Sequence, residues 1–417
     1  MEFCLLNKDE YIKFSEKHPY RNFLNLVESL ETKKYSGWKI EFVGVKSDGE
    51  ILAATALTSI PIMRFYRYYY AQRGFLVDYR DEELLKFFVS KIKAFAKKNK
   101  ALYLKVDPYI IYKERDNEGA LVEGGEDNSY VIDALKQLGF RHKGFTVGYD
   151  DVSQARWLYS LYIDGRSEDE IYKQFDEQTR WSINKTVKQG IKIRELPLEE
   201  IDIYTKMMDE TAERRGFPGR SHNFYKKFTE IYGDRCKLLL AYLDLDEYLI
   251  TLDEEKMKLN KELESIEAKL LETPNNKKTK NKKRVTEEAI DVNIRKCREA
   301  GELKEKHGNI LNMASACFTV YDNEIVYLFS GTDNRFRGYN APYAIQWWMI
   351  RYAIKNGINR YNFYGISGDF NKESPDYGVY GFKKGFNGVV EELIGDFIMP
   401  IRPLAFSMYQ KLKPGLI

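Results

Sequence analysis

Tyr327-Leu-Phe-Ser-Gly331, Asn334-Arg-Phe-Arg-Gly-Tyr-Asn-Ala-Pro-Tyr-Ala-Ile-Gln346, Tyr361-Asn-Phe-Tyr-Gly365 and Tyr380-Gly-Phe-Lys-Lys-Gly385 follow one another in the chain. They read as strand, loop, helix, strand and basic loop. Backbone donors at the first strand end, a helix N-terminus and a lysine near the close are parts that hold a polarised carbonyl. Such parts suit acyl transfer better than redox or metal chemistry.

The same order occurs earlier. Ile40-Glu-Phe-Val-Gly-Val-Lys46 alternates, Ser47-Asp-Gly-Glu50 is a hairpin turn, and Ile51 to Thr58 returns. An aromatic strand, Tyr68 to Gly74, comes next. A helix from about Asp81 to Lys98 puts Leu84, Leu85, Phe88, Ile92 and Phe95 on one face, and the strand Ala101 to Pro108 closes the unit. In the later copy, Lys237 to Leu243 pairs with Met313 to Val320, Ile325 to Gly331 follows, and a helix runs from Pro342 to Lys355 before Gly357. The expected fold is α/β (α+β), with two copies of one unit. The expected division is 1–150 completed by 390–417, then 151–245 with 310–389, with 246–309 inserted.

That insertion carries Leu252, Lys256, Leu259, Leu263, Ile266 and Leu270 at coiled-coil spacing. Thr273-Pro-Asn-Asn276 breaks it, and Ala289, Ile290, Ile294 and Cys297 mark a returning helix. An antiparallel helical hairpin brings the ends together. Its turn is read as carrying six cations in eight residues, Lys277, Lys278, Lys280, Lys282, Lys283 and Arg284, facing a phosphate backbone or simply water.

Composition bounds the function. The 417 residues carry a formal net charge of +3, so any polyanion is met by local patches. Cys4, Cys236, Cys297 and Cys317 form no CxxC pair, which points to a reducing compartment and no zinc site. His18, His142, His222 and His307 are scattered, and there is no Gly-x-x-x-x-Gly-Lys phosphate loop. No metal site and no cofactor are expected. Gly365-Ile-Ser-Gly368 lacks the spacing of a nucleophile elbow. The N-terminus has no basic-then-apolar leader. The longest uncharged apolar run, Ile51 to Met63, is too short to cross a bilayer of ~30 Å. A cytoplasmic chain is expected. The tail from Pro400 to Pro414 is mildly basic and apolar, and either packs on its own domain or touches a membrane.

Arg335-Phe-Arg-Gly-Tyr-Asn340 lies where acyl-CoA N-acyltransferases keep Arg/Gln-x-x-Gly-x-Gly/Ala to hold the CoA pyrophosphate, and departs at Asn340. The arrangement as a whole resembles the Fem family of peptidoglycan bridge-forming aminoacyltransferases. The resemblance rests on His18-Pro-Tyr20, Leu102 to Pro108, Ala212-Glu-Arg-Arg-Gly216 with Arg220, Ala341 to Gln346, Tyr361 to Gly368 and Gly381-Phe-Lys-Lys-Gly385. It implies tandem acyl-CoA N-acyltransferase-like (GNAT-like) domains with a coiled-coil arm. It further implies transfer of Gly, Ala or Ser from aminoacyl-tRNA to an amine of a peptidoglycan precursor, lipid-linked or nucleotide-linked, with a transient contact at the inner face of the membrane where the acceptor is lipid-linked.

The residue roles follow from that resemblance. Phe382 and Lys383 match the family's acyl-transfer centre. Arg220 and Lys33, or Lys34 in its place, match contacts to the precursor's diphosphate. Asp107 is a candidate acceptor from the muropeptide, and Tyr327 and Phe329, read as alternating along one strand face, floor the acceptor groove or pack in the core. The six arm cations would meet tRNA. Asp369, Asp376, Glu391 and Glu392 are candidate bases, with no choice among them. A CoA-dependent N-acyltransferase and a non-catalytic RNA-binding scaffold are the competing readings.

Overall fold

The computed structural model describes residues 1–149 and 152–412. β1 (Glu2–Leu5) and α1 (Lys8–Ser15) lead into α2 (Val27–Tyr35). The hairpin of β2 (Lys39–Ser47) and β3 (Glu50–Ile62) turns through Asp48 and Gly49. Both have positive φ (50° and 87°), the two-residue turn whose twist matches its strands. β4 (Tyr66–Ala71), α3 (Glu82–Lys98) and β5 (Ala101–Val106) complete the first unit. α3 is capped by Asp81, whose carboxylate accepts from the Leu84 amide at 2.9 Å. Leu84, Leu85, Phe88 and Ile92 are buried on the sheet, so the helical spacing is spent on the core.

β6 (Ile111–Glu114), α4 (Ser129–Gln137), β7 (Arg141–His142) and β8 (Trp157–Tyr162) carry the chain across to α5 (Glu168–Gln174) and α6 (Glu177–Lys188). Next come β9 (Lys192–Glu195), α7 (Ile201–Arg215), α8 (His222–Tyr232) and β10 (Cys236–Asp244). The arm is α9 (Leu245–Glu272) and α10 (Lys277–His307), after which β11 (Ile310–Tyr321), β12 (Glu324–Thr332), α11 (Ala341–Lys355) and β13 (Arg360–Ile366) repeat the first unit. α12 (Tyr377–Lys384), β14 (Val389–Leu393), β15 (Phe397–Pro400) and α13 (Pro403–Leu412) close the described chain. Of the tail, Lys413 and Pro414 lie outside the described residues.

Two sheets result, ordered β1-β2-β3-β4-β5-β15-β7 and β6-β14-β8-β13-β12-β11-β10-β9. They exchange strands across the boundaries read from the sequence: β6 joins the second sheet, while the C-terminal segment gives β14 to the second and β15 to the first. β4 and β5 pair in parallel from Arg67↔Ala101 to Ala71↔Val106. β12 and β13 pair in parallel only from Glu324↔Arg360 to Val326↔Asn362, and then part. One face of the second sheet packs on α11, and the other, through Leu238, Leu240 and Cys317, on α7 and α8.

The arm differs from its sequence reading in two respects. Its buried seam on α10 is Thr286, Asn293 and Ala300, and Ile294 is exposed. Asn293 donates to the Leu252 carbonyl at 3.0 Å, and a polar residue at a seam position fixes register. The cations lie in the first turns of α10, not in the turn itself, because Asn276 caps the helix by accepting from the Thr279 amide at 3.1 Å. No described helix is long and apolar enough to cross a membrane.

Candidate active site

The parting of β12 from β13 leaves the facing edges of both strands without ladder partners. A cavity of about 900 Å³ opens there, lined by Tyr327, Thr332, Asn340, Gln346, Phe363 and Gly365 among others. α12 closes one side and supplies Phe382 and Lys383. The sequence reading placed these two on a loop; they are helical. Lys383 is 6% exposed and donates to the Gly365 carbonyl at 2.5 Å. Burial pushes its amine down to about 7, from 10.5. Phe382 packs on Tyr343 (4.9 Å between ring centroids) and Phe386 (5.6 Å), so the segment is fixed from behind. Gly385 is needed at the end of this helix, since a Cβ would lie 2.2 Å from the Thr179 hydroxyl.

The described residues lining this cavity include no carboxylate and no histidine. Of the four candidate bases, Glu391 is bound to Tyr162 and Arg360, and Glu392 to Arg115 and Arg156. Asp369 and Asp376 do not line the cavity either. Around the mouth stand Arg214, Arg215 and Arg337, none with an ion-pair partner among the described residues. Lys185 donates to the Gly338 carbonyl at 2.8 Å, and Asp333 grips Arg335 at 2.5 Å, so the stretch resembling a CoA loop is tied down by side chains.

A second cavity, of about 1030 Å³, lies on the α7–α8 side and reaches α2. Lys33, Arg220 and Phe329 line it. Lys33 is partly buried, with its amine 4.7 Å from the centroid of Trp38 and 4.6 Å from that of Tyr70, and donates to the Thr58 hydroxyl at 3.3 Å. Desolvation pushes it down to about 7, against the pull of Asp107. Lys34 points away, to Glu31 at 3.7 Å. Arg220 precedes α8, stacks on Phe224 (4.5 Å) and Phe329 (5.5 Å), and keeps its guanidinium exposed with no carboxylate partner among the described residues.

Tyr327 and Phe329 do not share a face. Cys317 faces Phe329 and Phe318 faces Tyr327, so Leu328 is an extra residue in β12, a bulge. Tyr327 therefore stacks on Phe318 (5.3 Å) beside the first cavity, and Phe329 packs on Phe224, Tyr225 and Phe228 beside the second. Asp107 lines neither cavity. It is 1% exposed, accepts from the Arg73 amide at 2.8 Å, and faces the Arg73 guanidinium at 3.5 Å. Burial raises its carboxyl, with Arg73 opposing.

The two cavities share a wall made of Tyr149, Ala155, Leu328, Ser330 and Tyr364. Tyr364 is the residue the sequence reading passed over. Its φ is +65°, a conformation a bulky side chain rarely adopts, and its amide donates to Asn362 Oδ1 at 2.7 Å. Its hydroxyl donates to Gln154 Oε1 at 3.1 Å. The only hint in the sequence is Gly365 after an aromatic strand.

Of the arm cations, Lys282 pairs with Glu262 (2.7 Å), Lys283 with Glu267 (2.7 Å) and Arg284 with Glu288 (2.6 Å). Lys277, Lys278 and Lys280 have no ion-pair partner among the described residues. They sit at a helix N-terminus, where the dipole disfavours cations, so helix stability does not account for them.

The model for the FemAB family matches residues 6–414. The chain is 38% identical over 414 residues to aminoacyltransferase FemA of Staphylococcus epidermidis, covering 99% of both. To aminoacyltransferase FemA of Staphylococcus aureus it is 37% identical, covering 99% of this chain and 98% of that one. The crystal structure of FemX superposes with a TM-score of 0.81 at 26% identity over 98% of this chain and 99% of that one. A tandem GNAT protein from the clavulanic acid biosynthesis pathway gives 0.50 at 10% identity over 96% and 99%, a likeness of fold. The fold is therefore a tandem GNAT-like one with the coiled-coil arm inserted, and the chain belongs to the FemAB family.

Proposed function

We propose that this chain is an aminoacyltransferase of peptidoglycan bridge synthesis that takes its amino acid from aminoacyl-tRNA. One observation carries the reading. A buried lysine with a near-neutral amine stands in an acid-free cavity, one wall away from a groove with Lys33 and Arg220. The donor ester enters the Lys383 cavity. Arg214, Arg215 and Arg337 meet the phosphates behind it, and the unpaired arm cations Lys277, Lys278 and Lys280 meet the body of the tRNA. The muropeptide precursor lies in the second cavity, with its diphosphate on Lys33 and Arg220. An acceptor carried by a lipid would bring the protein to the membrane surface.

The acceptor amine adds its lone pair to the ester carbonyl, and the C–O bond to the tRNA 3′ oxygen breaks. The proton shed by the attacking nitrogen ends on that oxygen. Lys383 is the titratable group placed to carry it, because an amine near 7 is half protonated at neutral pH. As the ammonium it also lowers the energy of the oxyanion. No covalent enzyme intermediate is required.

The test is mass spectrometry of a muropeptide precursor after incubation with the protein and a mixed pool of charged tRNA. A gain of one or more amino-acid masses, abolished by ribonuclease, is expected and identifies the residue added. No gain on bare or pre-bridged acceptors, with acylation from acyl-CoA instead, would refute the reading.

A further inference from the structure

α13 packs Phe406 and Tyr409 inward, against Tyr103 and its neighbours. Its opposite side carries Leu404, Met408 and Leu412, spaced by four and 87%, 68% and 72% exposed. Three large apolar side chains stand in one exposed row on a helix anchored by the buried Phe406. The turn between β3 and β4 lies on the same edge. Arg402 reaches over the Tyr66 ring (5.7 Å), and Tyr66 and Ile62 pack with Phe406. That turn exposes Met63 and, at 69%, Phe65.

The edge is also positive. Arg64, Arg67, Lys97, Lys98, Lys100 and Arg402 meet there: Arg402 donates to the Lys97 carbonyl at 3.3 Å, and the Arg67 amide to the Lys100 carbonyl at 3.0 Å. Lys411 lies on α13 itself. Residues 51–77, 84–106 and 397–412, which build this edge, contain no aspartate or glutamate, in a chain with 63 of them and a net charge of only +3. An apolar row rimmed by uncompensated cations fits an anionic lipid surface, with the side chains entering the acyl boundary and the cations at the headgroups.

We infer that α13 and the β3–β4 turn form a docking face for an anionic membrane. The face connects to the second cavity through a band of rings. Trp38, beneath Lys33, meets Tyr68 (5.7 Å), which stacks on Tyr103 (4.8 Å), which meets Phe406 (5.1 Å) and Tyr409 (6.2 Å). Where the proposed transfer holds, a lipid tail attached beyond the diphosphate at Lys33 has an aromatic path to the bilayer. The docking face itself does not depend on that reading.

The experiment is flotation of the full chain with phosphatidylcholine vesicles and with mixed phosphatidylcholine–phosphatidylglycerol vesicles. Binding to the anionic vesicles is expected, weakening as potassium chloride is raised. The variant Phe65→Ser/Leu404→Ser/Met408→Ser should lose about tenfold or more in partitioning while its circular dichroism and its turnover of a water-soluble, nucleotide-linked acceptor stay unchanged. No binding to anionic vesicles, or equal binding by the variant, overturns the inference. So does concentration-dependent self-association that the variant abolishes while vesicle binding persists, since the face would then be covered by a second copy. Vesicle binding with no transfer to any acceptor would refute the proposed function and leave the docking face standing.

Discussion

Replacing Lys383 by methionine separates what the lysine does for chemistry from what it costs the fold. Methionine fills nearly the same volume without a charge, so overpacking and cavity terms are small. The unfolded lysine titrates at 10.5, the folded one at about 7. Below the folded value both states hold the proton, the folded one as a buried ammonium, and the penalty on folding is complete. It fades as pH rises and vanishes above the unfolded value. At about 1.4 kcal/mol per pKa unit, the gap corresponds to about 4 kcal/mol at pH 7 and about 1 kcal/mol at pH 10. Loss of the hydrogen bond to the Gly365 carbonyl offsets about 1 kcal/mol. Lys383→Met should therefore be about 3 kcal/mol more stable than the parent at pH 7 and about equal to it at pH 10. Urea unfolding at the two pH values reads this directly. Transfer should fall about a hundred- to a thousandfold, as when one oxyanion donor is removed. A variant that is less stable at pH 7, or gains the same stability at both pH values, would refute the near-neutral buried amine. One that is more stable yet fully active would refute its catalytic role.

Arg220→Lys keeps the charge but loses the planar fork and the stacking on Phe224 and Phe329. Initial-rate kinetics should show KM for the precursor rising about tenfold with kcat nearly unchanged, since only binding is touched. Arg360→Met strips the guanidinium that holds Glu324 and Glu391 between the strands. It should cost about 3–5 kcal/mol at pH 7 in urea unfolding. Burial already holds the Glu324 carboxyl above its ordinary range with Arg360 opposing, so the loss should ease as pH falls and Glu324 takes up a proton.

Legibility in the sequence tracked how local the determining physics is. The Asp48-Gly49 hairpin, the capped and amphipathic α3, and an arm broken at Pro274 are set within a few residues, and were readable. The helix carrying Phe382 and Lys383 was not. Gly378 and Gly381 lower its helix propensity, and it stands because Tyr380 and Lys383 are buried by distant segments. The bulge at Leu328 is equally hidden, because Tyr-Leu-Phe fits regular alternation and only the pairing with Cys317 and Phe318 reveals the extra residue. The left-handed backbone of Tyr364 leaves no trace beyond the glycine that follows it. Asp107 at a strand end offers itself in the sequence as an acceptor for the muropeptide, but its partner in the structure, Arg73, sits 34 residues earlier.

The two copies of the unit differ at their parallel strand pair, and that difference places the first cavity. In the first copy the parallel ladder of β4 and β5 stays closed to Val106, and β15 takes the far edge of β5. Lys105, on that closed strand, is held by Asp396 at 2.8 Å. In the second copy the ladder stops at Asn362, the bulge turns Tyr327 and Phe329 to opposite sides, and Tyr364 bends the departing strand. The lysine that then meets the gap comes from α12 and has a backbone carbonyl rather than an acid as its partner. A carboxylate there would hold the amine protonated at neutral pH, and a lysine that cannot release its proton cannot relay one. The bulge beside that gap puts Phe329 under Arg220 on the other face. The bulge thus turns Tyr327 to the first cavity and Phe329 to the second, across the wall the two share, and under the proposed function it is across that wall that an acceptor amine reaches an ester.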